Sequence, residues 1–189
     1  MTQASDWQGG VGRAWAEEWR RTDRTFAELT PRLLASASQF AGRRILDLGC
    51  GAGEVALTLA ASRPEAEVRG IDISEDLIRS ARHRRASDLP AHASCRFDVA
   101  DAAVWADPDF APDLIVSRHG VMFFAAPPAA FRHLASVSAP DARLVFSCFR
   151  TIPPSSVVSG AASPSGGRPA RHDAIRADGL CCVAPADLL

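Results

Sequence analysis

The sequence predicts a three-layer α/β protein in which helices cover both faces of a parallel sheet. Short apolar runs typical of buried strands alternate with segments whose apolar residues recur every three or four positions. A glycine-rich segment directly follows the first apolar run, as expected where a strand turns into a helix. Strands that alternate with helices favour right-handed crossovers and therefore a parallel sheet.

Five strands are expected, at residues 44–48, 67–72, 95–99, 113–117 and 143–149. Helical patterns follow the first strand at residues 54–63, the second after Ser74, and the fourth from Pro127. Ser74 precedes Glu75 and Asp76, which is typical of a helix start because the hydroxyl caps free N–H groups and negative charge favours that end. These elements define a central domain at residues 41–150.

Residues 1–40 are expected to form a helical cap. Trp15, Trp19 and Phe26 lie on one face of the pattern, and charged side chains lie on the other. Two interpretations of the tryptophans stay open: packing in the core, or a lid over a ligand.

Residues 151–189 are rich in Pro, Ser, Gly, Ala and Arg and contain no aromatic residue. This composition predicts an irregular, low-complexity tail. Lys, Asn and Tyr are absent from the whole chain, as a GC-rich gene would produce. Out-of-frame coding of such a gene is therefore a second explanation of the tail.

The bulk composition excludes several classes of function. A net charge of -1 over 189 residues gives no electrostatic reason to expect nucleic acid or an anionic membrane as partner. We find neither a signal-peptide pattern nor an apolar run of the roughly 20 residues that span a bilayer, so a cytoplasmic location is expected. The five cysteines lack zinc-ligand spacing, so no metal is expected and they are interpreted as reduced structural thiols.

The glycine-rich turn carries the strongest chemical signal. Its glycines follow a G-x-G-x-G pattern, and Asp47 lies two residues before the first of them. A dinucleotide site uses G-x-G-x-x-G to hold a pyrophosphate, which a nearby carboxylate would repel. The turn therefore favours a ligand with an ammonium and a sulfonium group, S-adenosylmethionine.

Two further carboxylates follow later strands. Asp72 ends the second strand, where an acidic side chain can accept hydrogen bonds from ribose hydroxyls. Because an NAD site shares this feature, an NAD-dependent oxidoreductase stays open as a less favoured alternative. Asp101 follows the third strand and is expected to reach the adenine amino group, with Asp98 as the competing residue.

These motifs resemble those of the class I, seven-stranded, Rossmann-like S-adenosylmethionine-dependent methyltransferases. Residues 46–53, LDLGCGAG, resemble their first motif, residues 70–74 the second, and residues 99–102 the adenine-contacting turn. Residues 113–124 are similar to the fourth-strand region of the small-molecule branch, which includes ubiquinone/menaquinone-biosynthesis-type enzymes. The resemblance covers roughly residues 7–150 and implies methyl transfer to a small-molecule acceptor.

The resemblance also implies roles for particular residues. The turn would lie against the methionine part of the cofactor with Asp47 near its amino group, Asp72 would hold the ribose, and Ile73 would pack on adenine. The predicted cofactor-binding set is Asp47, Gly49, Cys50, Gly51, Gly53, Asp72, Ile73, Asp101, Ala102, Ser117 and Arg118. His119 is the candidate catalytic base, and Met122, Phe123 and Phe124 are candidates for the wall of an acceptor pocket.

The chain departs from the family pattern after the fifth strand. The family continues with a helix and an antiparallel hairpin of strands six and seven, and residues 150–189 show no such pattern. Strands six and seven are therefore expected to be missing. A truncated, catalytically inactive cofactor-binding remnant stays open as an alternative to the active enzyme.

Overall fold

The computed structural model describes residues 4–148 and the backbone of residues 180–183. Seven helices, five parallel strands, one short 3-10 helix and a sixth strand make up the described chain. Their bounds are α1 (Ala4–Gln8), α2 (Gly10–Glu17), α3 (Trp19–Thr25), α4 (Leu29–Ala37), β1 (Arg44–Leu48), α5 (Glu54–Ser62), β2 (Glu67–Asp72), α6 (Glu75–Asp88), β3 (Ser94–Val99), β4 (Leu114–Arg118), the 3-10 helix (Gly120–Phe123), α7 (Pro127–Val137), β5 (Arg143–Ser147) and β6 (Leu180–Val183).

The sheet has the strand order β3-β2-β1-β4-β5-β6, with the first five strands parallel. The predicted α/β class with a parallel sheet is confirmed. The chain moves from β1 outward through β2 to β3 and then returns to the other side of β1 as β4. Loops therefore diverge between the carboxyl ends of β1 and β4, which is where open α/β sheets bind ligands.

Each face of the sheet carries its own apolar cluster, because successive residues of a strand point to opposite faces. Ile45 packs on one face with α4, α5 and α6. Its neighbour Leu46 packs on the other with Phe110 and with Leu134 of α7. Because β1 is buried on both faces, its sequence is a nearly continuous apolar run.

The prediction that strand six is missing is wrong. Leu180–Val183 pairs antiparallel with β5, so that Ser147 lies opposite Leu180 and Leu144 opposite Val183. A four-residue run is too short to show strand periodicity, and only its pairing with β5 defines it. The other predictions for the tail, including the missing seventh strand, lie outside the described residues.

The described residues contain no helix that is both long and apolar enough to cross a lipid bilayer.

Candidate cofactor and acceptor site

A cavity of about 1100 Å³ opens at the carboxyl ends of β1, β2 and β4. Eight of the eleven residues predicted to bind cofactor line it, together with His119; these eight are Gly49, Cys50, Gly51, Asp72, Ile73, Asp101, Ala102 and Arg118. The remaining three, Asp47, Gly53 and Ser117, lie outside its lining and hold the surrounding backbone in place.

The glycine turn contains three residues with left-handed backbone conformations, at φ +62° for Gly49, +55° for Gly51 and +87° for Gly53. A Cβ on Gly49 would lie 2.8 Å from the Cα of Gly120, so this glycine permits a close backbone approach. A Cβ on Gly51 would meet no atom within 4 Å. Gly51 therefore presents bare backbone to open cavity space.

Gly53 has a packing role. It precedes α5, and a Cβ there would lie 2.8 Å from the Cζ of Phe97. A Cβ on Gly70 of β2 would lie 2.7 Å from two other atoms of the same ring. The Phe97 ring therefore requires glycine at both positions.

The carboxylate of Asp72 holds the turn and lines the cavity. Its Oδ2 accepts a hydrogen bond from the N–H of Gly51, and its Oδ1 accepts one from the N–H of Ser74, each at 2.9 Å. Burial raises the pKa of Asp72, while these backbone donors act in the opposite direction. A carboxylate offers about four lone-pair sites, so acceptor capacity remains for a ligand hydroxyl.

Asp47 lies beneath the turn. Its Oδ2 accepts a hydrogen bond from the N–H of Ala56 in α5 at 3.1 Å, and its buried Oδ1 has no partner among the described residues. Burial raises the pKa of Asp47 to about 7, against the lowering effect of the Arg118 charge. A carboxyl at the first turn of a helix stabilises that turn, which is the role its contacts support.

The two carboxylates that were candidates for the adenine contact differ in their position relative to the cavity. Asp101 is exposed at the cavity and its Oδ1 accepts from the N–H of Ala103 at 2.9 Å, while Asp98 lies outside the lining and pairs with Arg82.

The Cys50 thiol is buried, and burial raises its pKa well above the ordinary value, so it is not a nucleophile. Ser117 is fully buried and donates to the carbonyl of Leu48 at 2.8 Å.

Arg118 lies at the end of β4 among acidic partners. Its guanidinium pairs with Glu54, donates to the hydroxyl of Thr30 at 2.8 Å, and lies 3.9 Å from a carboxylate oxygen of Asp23. It also lies 4.8 Å from the ring centroid of Phe26. Glu54 and Asp23 are not among the predicted site residues, although Glu54 begins the helix that follows the glycine turn.

His119 lines the cavity directly after β4. Its backbone is left-handed, with φ +67°, and its N–H donates to the carbonyl of Ser147 at 3.1 Å. Its ring lies 5.2 Å from that of Phe26. Burial, and then the positive charge of Arg118, lowers the pKa of His119, so its imidazole is neutral at pH 7.

Helices α1 to α3 form the outer wall of the cavity and contribute Trp7, Trp15 and Trp19. The rings of Trp7 and Trp15 lie 5.3 Å apart, and Trp7 lies 5.0 Å from Phe123 on the opposite wall. Arg84 of α6 stacks 3.9 Å from Trp19 and pairs with Asp23 at 3.0 Å, which fastens α3 to the sheet domain. Trp15 and Trp19, whose role the sequence left open, both line this cavity, and Trp19 also packs against the apolar cluster of Ala16, Ala52 and Leu77. The lid interpretation therefore describes Trp15, and Trp19 combines it with core packing.

A family model described as a methyltransferase domain matches residues 18–187, which is most of the chain. The chain belongs to this methyltransferase-domain family. The match includes β6 and the residues that lead to it, so the tail falls within the methyltransferase domain as the family defines it.

The methyltransferase domain is similar to several curated proteins over part of their length. It is 37% identical over 113 residues to a trans-aconitate 2-methyltransferase of Variovorax paradoxus, and the match covers 60% of this chain and 38% of that protein. It is 34% identical over 110 residues to a malonyl-acyl-carrier-protein O-methyltransferase of Brevibacillus brevis, covering 57% and 38%. The matched segment thus spans well under half the length of these relatives.

Solved structures show the same fold. Magnesium protoporphyrin IX methyltransferase from Synechocystis, with bound S-adenosylmethionine, superposes with a TM-score of 0.52 at 25% identity, covering 66% of this chain and 57% of that one. The cyclase SpnF superposes with a TM-score of 0.56 at 27% identity, covering 64% and 44%.

Proposed function

We propose that this methyltransferase domain binds S-adenosylmethionine in the cavity and transfers its methyl group to a small-molecule acceptor. The observation that carries the proposal is the juxtaposition of Gly51 and Asp72. Gly51 leaves open space against bare backbone, and Asp72 supplies acceptor oxygens for hydroxyl groups beside it. The Synechocystis enzyme, which shares the fold, was solved with the same cofactor bound.

The residues present fit that cofactor in size and charge. Ligand cavities usually measure about 300–1000 Å³, so about 1100 Å³ leaves room for an acceptor beside the cofactor. Asp72 and Asp101 line the cavity with negative charge, which favours a cationic ligand and opposes a pyrophosphate, while the Asp23 carboxylate is paired with Arg84. The same negative charge disfavours the NAD-dependent alternative.

The chain's own residues have positioning roles in this proposal. Asp72 and the turn fix the nucleoside end, while Asp101, Ala102 and Ile73 border the base. When bound, the cofactor supplies a methyl group on a positively charged sulfur that leaves as a neutral thioether. Alignment of the acceptor with that methyl group is the main catalytic requirement. In this proposal the neutral imidazole of His119, which lines the cavity, takes the proton of an acceptor that arrives protonated.

We also propose a cytoplasmic location. Cys50, Cys95 and Cys148 are free thiols, as is usual in a reducing compartment.

Calorimetric titration of the chain with S-adenosylhomocysteine, NAD and NADP tests the proposal. We expect binding of the thioether nucleoside and no binding of either dinucleotide. Asp72→Ala should weaken S-adenosylhomocysteine binding at least about tenfold, because hydrogen bonds to a charged group contribute about 1.5–3 kcal/mol each.

The matched control is Asp98→Ala, which removes an exposed carboxylate of β3 outside the cavity and should leave affinity within about twofold. Circular dichroism should show that both variants fold. Binding of NAD without binding of the thioether would refute the proposed function. Cofactor binding without turnover on any acceptor would instead support the inactive remnant.

A further inference from the structure

Arg84 of α6 lies next to the glycine turn and is nearly buried. Its side chain is 11% exposed, and its guanidinium donates to the carbonyl of Ala52 at 3.0 Å. Ala52 belongs to the turn and lines the cavity, whereas Arg84 is not among the described residues that do so. An arginine outside the cavity lining therefore holds a part of the cavity wall.

The same guanidinium contacts α3 of the lid. It pairs with the carboxylate of Asp23 at 3.0 Å and lies 3.9 Å from the ring centroid of Trp19. These two residues are four positions apart, so they share one face of α3, and both line the cavity. A guanidinium suits this position because its planar face can stack on a ring while its edge donates to two oxygens.

A second arginine extends this contact between α3 and the sheet domain. Phe26, which directly follows α3, lies 4.8 Å from the guanidinium of Arg118, and Asp23 lies 3.9 Å from the same group. Arg118 pairs in turn with Glu54, the first residue of α5. The lid is thus joined both to the glycine turn and to the helix that follows it.

The contacts of Arg84 are largely shielded from water, because the side chain of its partner Asp23 is only 19% exposed. Loss of one partner destabilises a shielded ion pair more than an exposed one, since the remaining charge stays poorly solvated. Loss of Arg84 also removes a donor from the carbonyl of Ala52 and a stacking partner from α3. A ligand would then have to order the turn and the lid as it binds, which lowers its apparent affinity.

On the basis of the proposed cofactor binding, we infer that Arg84 is a positioning residue for the cofactor. It holds the turn at Ala52 and the lid at Trp19 and Asp23 in one arrangement without touching the ligand. The cavity is therefore preformed for the cofactor by a side chain that lies outside its lining.

Calorimetric titration of the full chain with S-adenosylhomocysteine tests this role. Arg84→Gln should weaken binding about tenfold, because the ion pair, the turn contact and the stacking contact are all lost. Arg84→Lys keeps the charge opposite Asp23 but lacks the planar fork, so it should restore binding to within about threefold of the unchanged chain. The matched control is Arg79→Gln, the same exchange on α6 at a side chain that is 67% exposed and pairs within its own helix, which should stay within about twofold.

Hydrogen exchange of the unliganded variants separates this role from a general loss of stability. In Arg84→Gln the amides of α3 should exchange several-fold faster, with those of α4 unchanged. Equal acceleration in α3 and α4, or unchanged affinity in the folded variant, would overturn the inference. If Arg84→Gln does not fold, Arg84→Lys decides, and an affinity equal to that of the unchanged chain would overturn the inference as well. Failure of the unchanged chain to bind S-adenosylhomocysteine would instead refute the proposed function, so the two outcomes are distinguishable.

Discussion

The imidazole of His119 is partly buried, directly follows Arg118 in the chain, and lies 5.2 Å from the ring of Phe26. Burial and the charge of Arg118 both disfavour a second proton on the ring, and burial is the larger cause of the lowered pKa. A histidine whose pKa is lowered becomes charged only when the pH falls below its ordinary value of 6.5. Its ability to accept a proton is therefore retained at neutral pH and lost in acid.

A histidine-resolved NMR titration tests this expectation. The imidazole whose resonance disappears in His119→Gln should be less than half protonated at pH 6.5, the ordinary pKa of histidine. The same variant should lower the rate of methyl transfer to a hydroxyl acceptor about 100-fold, as is typical for loss of a general base, without weakening cofactor binding. A midpoint above 6.5, or an unchanged rate, would remove His119 from the proton-transfer role.

For Asp47, sequence spacing alone does not predict which way the side chain points. Its place before the glycine turn predicts a carboxylate beside the methionine part of the cofactor. Its side chain nevertheless reaches the N–H of Ala56 and does not line the cavity. Sequence spacing cannot distinguish a carboxylate that faces the ligand from one that faces the first turn of the next helix, because both lie within a few ångströms of the same turn.

At the scale of elements, the turn before α5 depends on glycine for two separate reasons. Gly53 combines a left-handed backbone with contact against the Phe97 ring. Gly10 begins α2, and a Cβ there would meet no atom within 4 Å. The two positions therefore form a matched pair for the same substitution.

Gly53→Ala should lower the free energy of unfolding by about 2–4 kcal/mol, from backbone strain and overpacking together. Gly10→Ala should leave it unchanged or raise it by up to about 1 kcal/mol, because alanine favours the helix. Urea denaturation of both variants measures the difference. Equal effects would show that Phe97 does not restrict position 53.

The five parallel strands and most helices were predictable because each carries an apolar pattern matched to its environment, whereas β6 was not. The N-terminal region was less predictable: the helical cap expected over residues 1–40 is divided into four helices, α1 to α4. The aromatic pattern indicated a buried helix face but not the surface against which that face packs. That surface is a cavity wall that forms only when β1, β2 and β4 are assembled.

At the scale of the whole molecule, α1 to α3 cover the cavity while α4 packs on the sheet. Trp7, Trp15 and Trp19 line the cavity, whereas Leu33 and Ala37 of α4 belong to the core on one sheet face. A ligand in the cavity therefore adds contacts to α1 to α3 and none to α4. Local opening of the lid should be suppressed by ligand in proportion to these contacts.

Hydrogen exchange with and without saturating S-adenosylhomocysteine tests this arrangement. Amides of α1 to α3 should exchange several-fold more slowly in the bound state, and those of α4 should be unchanged as the internal control. Exchange rates in α1 to α3 that are the same with and without S-adenosylhomocysteine would show that these helices do not close over the site.

The ring of Phe97 also links positions that are distant in the chain. It fills the space that a Cβ would need at Gly53, at the start of a helix, and at Gly70, within a central strand. Mutations at these three positions are therefore not independent in their effects. A related chain with a smaller residue at the position of Phe97 has more space for a side chain at position 70, so positions 70 and 97 should covary among related sequences. The left-handed backbone at position 53 still favours glycine there.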